Sequence, residues 1–162
     1  MDTSKKTIIL FSGDFDKVMA ALIIANGAAA MGDDVTVFCT FWGLNILRKT
    51  EKVKSNGNGK KSTLQKMFGG MMPKGTKKLG LSKMNFAGAG SPMMRKATKD
   101  AGGMSLEELF DSAREMDVKF VACTLSMEIL GFTEEELIDD IEFEGVAAYL
   151  GKADEANVNL FI

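Results

Sequence analysis

The stretch TIILFSGDFDKVMAALIIANGAAAMGDDVTVFC, Thr7 to Cys39, decides the fold. Its first five residues, Thr7 to Phe11, form a short β-branched apolar run of the kind found in strands buried on both faces. Ser12-Gly13-Asp14 follows as a turn with two candidate N-caps. From Phe15 to Met31 the apolar positions Val18, Leu22, Ile23, Ala25 and Ala29 recur at helical spacing, and Gly32 is placed to end the helix. After the turn-forming Asp33-Asp34, Val35 to Cys39 reads as a second strand. Strand, helix and strand in this order imply parallel pairing.

Reading outward, Trp42 to Lys49 is predicted as the next helix. Ser105-Leu106-Glu107-Glu108 matches a capping box and opens a helix to about Met116. Lys119 to Cys123 (KFVAC) is another strand, and Thr124 and Ser126 are placed to cap a short helix ending before Gly131. Thr133-Glu134-Glu135-Glu136 is a second capping box. A strand around Ile141 to Phe143, a helix from Gly145 to about Glu155 and a strand from Val158 to Ile162 complete the pattern. The expected fold is α/β: one domain over residues 1–162, a doubly wound, flavodoxin-like parallel sheet of five strands with helices on both faces. Ligands of such sheets bind at the carboxyl ends of the strands.

Residues 51–103 do not follow the alternation. Ten of the seventeen glycines and half of the twelve methionines lie there. Lys52 to Lys99 contains twelve basic residues and no acidic one, leaving eight basic against 22 acidic residues elsewhere. This basic Gly/Met-rich insertion comprises a Lys/Ser/Asn/Gly-rich run from Lys52 to Lys61, an amphipathic Leu64 to Phe68, and a glycine- and methionine-rich remainder. It is expected to be partly helical and to pack against another surface. Its lysines offer complementarity to nucleic acid, to an anionic membrane surface or to the acidic remainder of a neighbouring subunit. Nucleic acid is the poorest fit, because only Phe68 and Phe86 are available for stacking.

Composition narrows the chemistry. The chain has no histidine, which excludes a Ser-His-Asp triad, a Cys-His dyad and histidine-ligated metal. Its two cysteines, Cys39 and Cys123, lack the spacing of a disulfide framework or a zinc site. No cofactor or metal is called for. No apolar run reaches the roughly 18 residues that span a bilayer. Met1 to Lys6 lacks the features of a secretory signal, so a cytoplasmic location is expected.

Cys123 ends a buried strand just before a predicted helix, where backbone N–H groups lacking intrahelical partners would favour a thiolate or persulfide anion. The competing reading is a small core hydrophobe. Cys39 also ends a strand, ahead of Thr40 and Trp42, and would open onto the same sheet edge as a partner thiol; continuous apolar neighbours argue for simple burial instead. Ser12-Gly13-Asp14 lacks the fingerprint of a dinucleotide or phosphate loop. Asp14 reads as a helix cap whose position also suits it to bind a ligand or relay a proton near Cys123.

Four stretches together carry a resemblance: FCTFWGLNILRK (Phe38 to Lys49), FGGMMPKGTKKLGLSKMNFAGAGSPMM (Phe68 to Met94), ACTLSMEILGF (Ala122 to Phe132) and EGVAAYLG (Glu144 to Gly151). In this order they resemble the larger soluble branch of the DsrE/DsrF/DsrH-like family over most of the chain. The resemblance accounts for the insertion as a family feature. It implies a five-stranded parallel sheet, assembly into homo-oligomers, and a cysteine after the third strand, matching Cys123, that carries sulfane sulfur. Ser12, Asp14, Thr40, Trp42, Thr124 and Ser126 would line the site, and Cys39 is a second thiol candidate. The implied role is a sulfurtransferase or sulfur carrier. The implied partners are donor and acceptor proteins of rhodanese-like or TusA-like type. The competing role is a non-catalytic oligomeric or membrane-surface module built on the basic, methionine-rich segment.

Overall fold

Alternation of short apolar runs with amphipathic segments produces the elements expected of it. A computed structural model describes residues 3–53 and 60–162. The run at 52–61 thus falls largely outside the described residues. The elements are β1 (Lys5–Leu10), α1 (Phe15–Ala30), β2 (Asp34–Cys39), a 3-10 helix (Phe41–Leu47), α2 (Thr63–Met71), α3 (Gly90–Asp100), α4 (Leu106–Glu115), β3 (Lys119–Cys123), α5 (Thr124–Leu130), β4 (Glu142–Glu144), α6 (Val146–Asp154) and β5 (Val158–Phe161).

All five strands are parallel, in the order β4-β3-β2-β1-β5. The chain steps in one direction from β1 to β4 and then returns to the far side of β1. Right-handed crossovers place the early helices on one face and the returning helix, α6, on the other. The cores divide accordingly. Leu10, Val37, Cys39, Phe120 and Ala122 pack with α1 and α4 in the larger cluster. Phe38, Val121 and Cys123 pack with Tyr149 of α6 in the smaller one. Because successive side chains of a strand alternate in direction, one residue of register decides which core a side chain joins.

The capping box at Ser105/Glu108 forms, whereas at Thr133/Glu136 only the Thr133 N–H donates to Glu136 Oε2 (2.9 Å), ahead of a three-residue 3-10 turn, Glu134–Glu136. Two expectations are corrected. The predicted helix over Trp42 to Lys49 is a 3-10 helix ending at Leu47. Here Gly43 lies so close to β1 that a Cβ would stand 1.9 Å from the Leu10 carbonyl oxygen, and its N–H donates to Phe11 O and Thr40 O. Tertiary contact with β1 therefore accompanies the tighter winding. Arg48 then turns extended. Second, the cap of α5 is Cys123 rather than Thr124 or Ser126, because the helix follows the strand without a spacer.

The insertion is docked. Sequence inspection overlooked the capping box of α2, in which Ser62 and Gln65 exchange hydrogen bonds. The buried Arg48 guanidinium donates to Gly69 O (2.8 Å), Met72 O (3.1 Å) and Pro73 O (3.2 Å) and stacks 4.4 Å from the Phe132 ring centroid. Lys61 pairs with Glu136 at 2.7 Å, and Arg95 pairs with Glu107 at 2.8 Å. Met72 and Leu79 enter the larger core.

Candidate functional site

Cys123 is the last residue of β3 and the N-cap of α5. The first amides of that helix have no intrahelical partners. Its side chain makes no cap hydrogen bond and is 5 % exposed, beside Phe38, Val121 and Tyr149. Tyr149 is itself fixed by a 3.1 Å hydrogen bond between its hydroxyl and that of Thr7.

Cys39 has a different setting. It is registered between Leu10 of β1 and Ala122 of β3, one position out of phase with Cys123. Its side chain therefore points to the opposite face, where it is 0 % exposed. Burial pushes its thiol far above the usual range. Thiols directed to opposite faces cannot form a disulfide without backbone movement.

The other candidates fall into two groups at the carboxyl edge. Thr40 and Ser126 share a 2.7 Å hydrogen bond that ties the end of β2 to α5, next to Cys123 and Thr124. Ser12, Asp14 and Trp42 line a cleft of about 700 Å³ with Phe11, Asn45 and Phe161. This cleft lies where β1 and β5 meet, the point at which the winding reverses and the usual ligand position of such sheets. Asp14 occupies the N-cap position of α1, but its carboxylate caps nothing. It accepts from Ser12 Oγ (3.1 Å) and pairs with Lys17 (3.0 Å). One strand, β2, lies between β1, after which Asp14 lies, and β3, which ends at Cys123.

One residue beside the thiol escaped the sequence reading. Glu144 is the register partner of Cys123 on β4, so both side chains project from the same face of adjacent strands. Its Oε1 pairs with Lys152 of α6 at 2.8 Å, and Lys152 also binds Glu142 at 2.7 Å. Burial opposes the Lys152 ammonium, yet hydrogen bonds to the two carboxylates and their charges hold it above its usual value. The alternation Glu142-Phe143-Glu144 was the visible signal, but only register reveals which neighbour each glutamate meets.

Comparison with known proteins identifies the lineage. The sequence profile of the DsrE/DsrF/DrsH-like family matches residues 2–161. The chain belongs to this family. It is 56% identical over 160 residues to the uncharacterized protein YrkE of Bacillus subtilis (strain 168), covering 99% of this chain and 98% of that protein. It is 33% identical over 166 residues to a protein of Allochromatium vinosum named sulfur carrier protein DsrE2, with both chains fully covered. Among solved structures, the ychN protein from E. coli superposes with a TM-score of 0.55 at 11% identity, covering 99% of this chain and 100% of that one. MTH1491 from Methanobacterium thermoautotrophicum, a protein of unknown function, gives 0.54 at 12%, covering 97% and 98%. These two likenesses bear on the fold, and they agree with the five-stranded α/β architecture of this DsrE-like chain.

Proposed function

We propose that this protein is a cytoplasmic sulfur carrier that accepts sulfane sulfur as a persulfide on Cys123 and hands it to a partner thiol. The observation that carries the reading is the placement of Cys123. It sits at the carboxyl edge of the sheet, at a helix start, on the face covered by one helix, whereas Cys39 is sealed in the larger core. Family membership and the Allochromatium vinosum relative support sulfur handling in general. With no histidine in the chain, the site suits storage and handover of sulfur better than hydrolysis or acyl transfer. The surrounding Thr40, Thr124 and Ser126 would shape the pocket that receives a donor persulfide. Ser12, Asp14 and Trp42 would serve a ligand or partner approaching the neighbouring cleft.

The test is intact mass after treatment with inorganic polysulfide. The expected product is an adduct of about 32 Da, one sulfur atom, that vanishes in Cys123→Ser. No adduct, or one unchanged in that variant, defeats the reading.

A second reading is favoured by a specific surface. On α2, Leu64, Met67 and Met71 are exposed beside Leu125 and Ile129 of α5, with Lys66 close in sequence. Such a basic, apolar surface suits a neighbouring copy, the acidic face of a rhodanese-like or TusA-like protein, or an anionic membrane. Among the described residues no helix is long and apolar enough to cross a membrane. Light scattering and liposome flotation of Met67→Glu against the unmodified chain separate these: loss of assembly or flotation supports the surface, and no change in either removes it.

A further inference from the structure

Sulfur loading requires Cys123 to lose a proton, and the chain has no histidine to take it. Asp14 lies beyond β1, with Ser12 and Lys17 as its partners. The carboxylate beside the thiol is that of Glu144. Neighbouring strands run roughly 4.8 Å apart, so a registered pair on one face stands within reach of a small side-chain rotation. Glu144 Oε1 is occupied by Lys152. Its Oε2 is buried and, among the described residues, accepts no hydrogen bond. A buried carboxylate oxygen without a donor is costly unless something fills the vacancy. The side chain registered against Glu144 on β3 is that of Cys123, whose thiol carries a hydrogen.

We propose that Glu144 is the base that takes the Cys123 proton during sulfur loading, with Lys152 anchoring its other oxygen. This rests on the carrier reading given above. The thiol proton moves to Glu144 Oε2, and the thiolate attacks the outer sulfur of a donor persulfide, R–S–SH. A sulfur–sulfur bond forms on Cys123 as the donor's sulfur–sulfur bond breaks. The electron pair leaves on R–S⁻, which takes the proton back from Glu144. Sulfane sulfur is transferred with no net oxidation: Cys–SH and R–S–SH become Cys–S–SH and R–SH. With inorganic polysulfide as donor, R is the remainder of the sulfur chain.

The charged groups around Glu144 are Lys152 on α6 and Glu142 on its own strand; farther along the same face Lys119 is paired with Asp34 at 2.9 Å. Glu142 provides the control, because it binds the same lysine but is registered against Val121. The experiment follows the rate of adduct formation on Cys123 with polysulfide, by mass spectrometry from pH 6 to about 9.5, in the unmodified chain, Glu144→Gln and Glu142→Gln. Glu144→Gln is expected to load at least about tenfold more slowly near pH 7, at the modest end of general-base effects, and to recover toward alkaline pH as hydroxide replaces it. Glu142→Gln should stay within about twofold, below the smallest effect expected of a lost base. Loading of Glu144→Gln at the unmodified rate, or an equal loss in Glu142→Gln, overturns the assignment while leaving the carrier reading intact. Absence of any Cys123 adduct on the unmodified chain overturns the carrier reading and this proposal together.

Discussion

Cys39 and Cys123 end adjacent parallel strands, carry the same thiol, and are followed by helical turns, yet they occupy different chemical worlds. Cys39 pairs in register with Ala122, so Cys123 is shifted by a single residue and projects from the other face. That face is covered by α6 alone, because only the return from β4 to β5 crosses it. The opposite face receives α1 and α4 and the buried residues of the insertion. Topology and strand parity therefore decide which cysteine keeps a path to the surface. Local sequence around the two hardly differs in this respect.

The largest expected consequence is in reactivity. Native protein treated with iodoacetamide should modify Cys123 roughly a thousandfold faster than Cys39, since exposing Cys39 requires opening the main core at a cost of about 4 kcal/mol or more. Peptide-resolved labelling checks this, with both cysteines reacting alike in denaturant. Comparable native rates would break the distinction.

Stability should separate the pair next. Cys39→Ser places a hydroxyl in an apolar site and is expected to cost about 1–3 kcal/mol. Cys123→Ser, with Glu144 Oε2 as an available acceptor, should cost less than about 1 kcal/mol. Urea midpoints of the two variants decide the matter, and a larger loss at Cys123 would contradict it.

A smaller, pH-dependent effect sharpens the contrast from the side of the insertion. Partial burial opposes the Glu136 carboxylate, but hydrogen bonds from Lys61 and the Thr133 amide and the charges of Lys61 and Arg48 hold it below its ordinary value of 4.5. Glu107 is likewise depressed: burial opposes its charge, and the hydrogen bond and charge of Arg95, together with hydrogen bonds from its own amide and Thr76, more than offset that. A depressed carboxylate stabilises the fold fully above its unfolded value, and that contribution is lost as pH falls through the folded one. Hydrogen exchange across α2 and α3 should consequently speed up by a few-fold, well under about 1 kcal/mol, between neutral pH and pH 4, once corrected for intrinsic rates. Amides of β3 around Cys123 should not follow. Lys61→Ala should remove part of the acid response of α2.

Much of this was legible before any coordinates. The strands showed as β-branched apolar runs, α1 by its periodicity and Gly32, and α4 by its capping box, because each depends on neighbours a few residues away. Cys123 at the end of a strand was legible for the same reason. Long-range features were not. The 3-10 winding after β2 accompanies the approach of Gly43 to the Leu10 carbonyl, and the sealing of Cys39 depends on its register with two strands. Glu144 beside Cys123 requires the β3–β4 register, which no periodicity reveals. Arg48, a charged residue inside a mostly apolar run, gave no hint that it would close the carbonyl ends of α2 and the loop that follows.

The most direct measurement is peptide-resolved mass spectrometry of the polysulfide-loaded native chain. The sulfur adduct of about 32 Da is expected on the peptide containing Cys123 and absent from that containing Cys39. An adduct on Cys39, or shared equally between the two, would contradict the claim that one residue of register sets the sulfur-carrying thiol.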